Sequence, residues 1–100
     1  MLSQAEVAKI FQDTGALLSG HFRLTSGRHG DQYFQCALVL QHPQYTEILC
    51  RELAARFQGE GVSVVIGPAM GGIIVAYETA RALGARSLFT ERENGVMKLR

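Results

Sequence analysis

Three short segments carry the residue types that chemistry on an anion requires. Gly67-Pro68-Ala69-Met70-Gly71-Gly72 follows an apolar run and opens a helical stretch. Its glycines would let backbone amides close on a negative group at a helix N-terminus, where the helix dipole favours such charge. Arg92, Lys98 and Arg100 cluster near the end of the sequence. Cations on a mobile loop can close over phosphates and meet negative charge as it develops. Thr25-Ser26-Gly27-Arg28-His29-Gly30-Asp31 is dense in glycine, hydroxyls and charge, and the backbone bends cheaply there. Each segment also has a plainer reading: tight packing of helix on strand, a solvated charged face, an ordinary polar turn. The glycine segment is neither G-x-G-x-x-G nor a Walker loop, so generic nucleotide binding is not indicated.

The elements that must position these residues follow from periodicity and punctuation. Ser3 with Glu6 forms a capping box; Val7, Ile10 and Phe11 recur at helical spacing, and Gly15 ends the helix. Gly20–Leu24 reads as a short strand and Tyr33–Leu40 as a second. Pro43 suits the first turn of a helix that presents Leu49, Leu53 and Phe57 on one face, with Cys50 and Ala54 beside them. Val62–Ile66 is an almost unbroken β-branched run, expected as a buried central strand of a parallel sheet. The helix after the glycine turn carries Ile73, Val75, Ala76, Tyr77, Ala80 and Leu83 and closes at Gly84, and Ser87–Thr90 is the next strand, parallel to Val62–Ile66. Asn94-Gly95 between alternating residues signals a β-hairpin.

Bulk properties narrow the classes. With 100 residues, 47% hydrophobic and 19% charged, the chain is expected to be globular and to hold no second domain. A net charge of +1 gives no electrostatic case for nucleic acid or an anionic membrane, and no apolar run is long enough to span a bilayer. No secretory signal is visible, which points to the cytoplasm. Cys36 and Cys50 are expected as two buried thiols, and with His42 they match no common zinc spacing.

Taken together, the segments resemble a known family. Gly20-His21-Phe22-Arg23-Leu24-Thr25-Ser26-Gly27-Arg28-His29, followed by Tyr33 and Phe34, is similar to the start of orotate phosphoribosyltransferases. Gly67-Pro68-Ala69-Met70-Gly71-Gly72-Ile73 is similar to that family's pyrophosphate-side loop. Glu91-Arg92-Glu93-Asn94-Gly95, with Lys98 and Arg100, resembles the catalytic loop of one bacterial subgroup. The resemblance covers essentially the whole chain, in order and spacing.

The resemblance implies an α/β fold of the type I phosphoribosyltransferase kind, a parallel sheet flanked by helices with N-terminal hood elements. Residues 1–100 would form the N-terminal part of one such domain. It also implies transfer of ribose 5-phosphate from phosphoribosyl diphosphate to orotate, giving orotidine 5′-phosphate and pyrophosphate in UMP biosynthesis. Magnesium would be bound largely through the substrate pyrophosphate, with no metal ligand in this chain. The expected assembly is a homodimer with shared active sites. Arg92 and Lys98 are the implied catalytic residues. Thr25, Ser26, Tyr33, Phe34, Met70, Gly71, Gly72 and Arg100 are the implied substrate-binding residues.

Three departures qualify this. Many members carry lysine where Thr25 stands and a Tyr-Lys pair where Met70-Gly71 stands. The family's acidic pair and Thr- and Gly-rich phosphate loop fall beyond position 100, so the chain is expected to be a truncated piece, inactive alone. The alternative function is a non-catalytic phosphoribosyltransferase-like module that senses ligand.

Overall fold

A computed structural model of the chain describes residues 2–23 and 27–100. It divides into two compact units, Met1–His42 and Pro43–Arg100.

In the first unit, helix α1 (Gln4–Asp13) starts as expected. The Ser3 hydroxyl accepts from the Glu6 amide at 3.1 Å, and the Glu6 carboxylate accepts from the Ser3 amide at 2.9 Å. Those bonds from Ser3 hold the Glu6 carboxyl below its usual range. Gly15, at φ 74°, carries the chain out of the helix. Strands β1 (Leu17–Arg23) and β2 (His29–Phe34) pair antiparallel. The register slips between Ser19 and Phe22, an extra residue on β1 at Gly20-His21. The His21 and His29 rings stack beside this bulge at 4.6 Å. Phe11 meets Phe34 edge-to-face at 5.4 Å, and Ala16 is fully buried where α1 gives way to β1.

Three expectations shift in this unit. The second strand ends at Phe34, and Cys36–Leu40 is a short helix, α2. Five successive apolar residues have no alternation to specify a strand, and the Gln41 side chain closes the turn by donating to the Leu38 carbonyl at 3.0 Å. Cys36 consequently lies on an exposed turn and is not buried, whereas Cys50 is. The first strand runs Leu17–Arg23, starting three residues before the expected Gly20, and Leu24 lies outside the described residues.

The second unit is α3 (Pro43–Ala55), β3 (Val64–Pro68), α4 (Gly71–Leu83), β4 (Arg86–Glu93) and β5 (Val96–Leu99). Pro43 does open α3, but its buried face is Thr46, Cys50 and Ala54, with Leu53 and Phe57 left exposed. Small residues win this face because α3 packs on α4, whose buried residues are Ala76, Thr79 and Ala80. Cys50 Sγ donates to the Val75 carbonyl at 3.7 Å. Burial pushes the Cys50 thiol up, against the Thr79 hydroxyl beside it, which works in the opposite sense.

β3 and β4 pair in parallel, Val64 opposite Arg86 through Pro68 opposite Thr90, as the βαβ pattern predicts. The sheet order is β3-β4-β5, so β4 is central and the Val64–Pro68 strand is an edge, correcting the expected central position. The hairpin supplies the reason: β5 returns antiparallel on β4 and takes its second edge, while β3 has no second strand partner among the described residues. Ile66, which by strand alternation points to the sheet face opposite the Gly67–α4 contact, is 52% exposed, so that face is uncovered there among the described residues. No helix of the described residues is long and apolar enough to cross a membrane.

Candidate functional site

The glycine turn and the basic hairpin are both organised by β4. At the end of β3 the chain passes through Gly67 and Pro68 into α4, and the Ala69–Met70 peptide is cis. The Ala69 amide donates to the Thr90 carbonyl at 2.6 Å, tying the turn to β4. One step along, the Arg100 amide donates to the Phe89 carbonyl at 2.8 Å, tying the returning hairpin strand to the same place.

The three glycines of the turn have different roles. A Cβ on Gly67 would strike the Gly72 carbonyl oxygen and lie 2.8 Å from Ala76 Cβ. A Cβ on Gly72 would lie 2.5 Å from Pro68 Cδ. Both are therefore demanded by the close seating of α4 on β3. Gly71 is different: nothing lies within 4 Å of a Cβ placed there. It is exposed in the first turn of α4, beside the 83%-exposed Met70. The Ile73 amide donates to the Met70 carbonyl at 3.2 Å, which leaves the Gly71 and Gly72 amides, the first two of the helix, as the ones an anion can approach. Packing thus accounts for two glycines, and an open approach remains at the third.

The hairpin turns at Asn94 (φ 51°) and Gly95 (φ 78°), the left-handed pair of a type I′ turn. Register sets its faces. Thr90 stands opposite Leu99 and Arg92 opposite Met97, whereas Glu91 stands opposite Lys98 and Glu93 opposite Val96. Arg92 therefore occupies one face and Lys98 the other. Arg92 Nη1 donates to the Gly95 carbonyl at 3.3 Å. Lys98 Nζ lies 3.9 Å from Glu93 Oε1, and Arg100 Nε lies 3.5 Å from Glu91 Oε1. Those two carboxylates were not singled out by sequence reasoning. Alternation of acid and base across Asn94-Gly95 was the available signal.

Of the expected site residues, Met70, Gly71, Gly72, Arg92, Lys98 and Arg100 all fall in the second unit, at the turn and hairpin joined through β4. Tyr33 and Phe34 belong to the first unit, opposite Leu18 and Leu17 in the β1–β2 ladder. Thr25 and Ser26 lie outside the described residues. Among the described residues no group of three or more His, Cys, Asp or Glu converges in a metal-holding set. Two cavities of the second unit lie away from the turn and the hairpin. One of about 460 Å³ between α3 and α4 holds Arg51 and Arg81, already paired with Glu47 and with Glu78. Another of about 400 Å³ is apolar, lined by Leu53, Phe57 and β3.

The chain is 76% identical over 99 residues to the orotate phosphoribosyltransferase of Pelotomaculum thermopropionicum, covering 99% of this chain and 52% of that protein. Over its whole length the chain is similar to about half of an orotate phosphoribosyltransferase. It spans about half the length of the curated relatives it matches. No protein-family profile matches it. Among solved structures, the orotate phosphoribosyltransferase of Aeropyrum pernix superposes with a TM-score of 0.76 at 25% identity, covering 94% of this chain and 56% of that one. The UMP synthase of Leishmania donovani superposes with a TM-score of 0.79 at 16% identity, covering 99% of this chain and 22% of that one, a likeness of fold. The fold is thus a portion of the type I phosphoribosyltransferase α/β architecture.

Proposed function

We propose that this chain supplies the pyrophosphate-side half of an orotate phosphoribosyltransferase site, within a protein that joins orotate to phosphoribosyl diphosphate for UMP synthesis. The observation that carries this is the joining of the open Gly71 turn and the basic hairpin through β4, in a chain whose relatives carry that enzyme's name over its whole length. Those relatives favour the enzyme over a ligand-sensing module.

The reaction needs negative charge stabilised on departing pyrophosphate while a cationic centre develops at the anomeric carbon. Gly71 and Gly72 present first-turn amides to pyrophosphate oxygens, with Met70 beside them. Arg92 meets the developing charge, assisted by Lys98 and Arg100 from the opposite face of the hairpin. The backbone of Tyr33 and Phe34 borders the orotate ring, and Thr25 and Ser26 are further substrate-binding residues. Both units then belong to one phosphoribosyltransferase domain.

Magnesium is the expected metal. The described residues offer no carboxylate cluster to hold it, so the donors would be pyrophosphate oxygens, and this chain's own contribution is amides and cations. The working assembly is a homodimer in which the hairpin of one subunit serves the partner's site. The two free cysteines suit a reducing cytoplasm.

The test is Arg92→Ala in the full-length protein. Turnover should fall on the order of a hundredfold, with orotate affinity nearly unchanged. Unchanged turnover with weakened orotate binding would remove Arg92 from the leaving-group role.

A further inference from the structure

The hairpin does not offer its three cations equally. Arg92 shares a face with Met97, Thr90 and Leu99, and its guanidinium is engaged by a neutral acceptor, the Gly95 carbonyl. On the opposite face stand Glu91, Glu93, Lys98 and Arg100, bridged diagonally as Lys98–Glu93 and Arg100–Glu91. Diagonal neighbours across an antiparallel pair lie roughly 7–8 Å apart, which long side chains span. Among the described residues no carboxylate pairs with Arg92. Arg92 has a neutral partner, whereas Lys98 and Arg100 each have a carboxylate neighbour.

We infer that Glu91 and Glu93 are positioning residues that hold Arg100 and Lys98 extended along one hairpin face until the pyrophosphate group of an incoming ligand displaces them. The inference rests on reading the hairpin as pyrophosphate-binding.

Geometry and magnitude both support a displaceable hold. The bridges measure 3.9 and 3.5 Å between side chains that are 44–55% exposed. Such pairs are weak and screened by salt. A pyrophosphate oxygen offers each cation a more highly charged acceptor, so exchange favours the ligand. The carboxylates restrict where the long side chains wait, and they set a small electrostatic threshold for binding. Arg92, lacking such a competitor, engages without displacing a carboxylate.

Inorganic pyrophosphate titrated calorimetrically into the full-length protein is the test, with thermal melting of each variant as a fold control. At low ionic strength Glu93→Gln should tighten pyrophosphate roughly two- to five-fold, the range of an exposed pair. That gain should vanish in a Lys98→Gln background, and Glu91→Gln should behave likewise with Arg100→Gln. Glu47→Gln, a carboxylate paired elsewhere on the unit, should leave binding unchanged. A gain that persists in the Lys98→Gln background is a general charge effect and overturns the inference. So does weakening by Lys98→Gln without any gain from Glu93→Gln, which leaves the parent reading standing. If Arg92→Ala, Lys98→Gln and Arg100→Gln all leave pyrophosphate binding and turnover unchanged, the parent reading falls and takes the inference with it.

Discussion

Gly67, Gly71 and Gly72 sit within six residues of one another, yet a methyl group would meet three different surroundings. Gly67→Ala forces a Cβ against backbone and Ala76, which should cost about 2–3 kcal/mol and lower the melting temperature accordingly. Gly71→Ala meets open space in a helical first turn and should leave stability unchanged or raise it by up to about 1 kcal/mol. The same Gly71→Ala variant should bind pyrophosphate several-fold more weakly, because a side chain would occupy the approach to the amides. Calorimetric melting and pyrophosphate titration of the two variants separate packing from recognition. A sequence of glycines cannot make that distinction, since what decides it is the atoms across from each one. Cys50 gives a second residue-scale expectation. Its thiol is raised above its ordinary value of 9.0 by burial, so the folded chain holds that proton more tightly than the unfolded chain does. The resulting stabilisation is present below about pH 9 and is lost as pH climbs through the folded-state value. Melting temperatures measured across that alkaline range should decline, and Cys50→Ala should flatten this part of the decline.

Punctuation made some elements legible and left others open. α1 has Ser3, Glu6 and Gly15; α4 has its glycine start and Gly84 at φ 70°; the hairpin has Asn94-Gly95. Each was readable because the residue at the boundary performs the boundary's chemistry. Ser3→Ala should therefore cost about 1 kcal/mol and shorten α1, seen as lost ellipticity and a lower melting temperature. Cys36–Leu40 has no such marks, and an unpunctuated apolar run takes its conformation from what surrounds it. The α3 face was legible only in part, at Cys50 and Ala54, for a related reason. Leu49, Leu53 and Phe57 have the helical spacing, but α4 approaches through alanines, and only Thr46, Cys50 and Ala54 let it come close. The hairpin's acid–base pairing also went unread, because it depends on cross-strand register and not on order along the chain.

For the whole molecule, the likeness to orotate phosphoribosyltransferases was legible because three motifs occur in order, while sheet position was not, because strand order is decided by pairings distant in sequence. The uncovered sheet face at Ile66, the end position of β3 and the apolar cavity beside Leu53 and Phe57 leave surface that another element or chain can cover. The isolated 100-residue chain should self-associate with rising concentration, visible by sedimentation. It should bind phosphoribosyl diphosphate poorly and form no orotidine 5′-phosphate beside a full-length control; measurable magnesium-dependent turnover would show the site to be misplaced. β4 also has a mechanical consequence. Its first part is clamped to β3 up to Thr90, and beyond that residue it is paired with β5 alone. Thr90 is thus a fulcrum, and the hairpin is a stiff arm extending roughly 15 Å past it at strand rise. A tilt of about 20° there would carry the Asn94-Gly95 tip roughly 5 Å, and the Ala69–Thr90 hydrogen bond at the pivot would register that swing at the glycine turn.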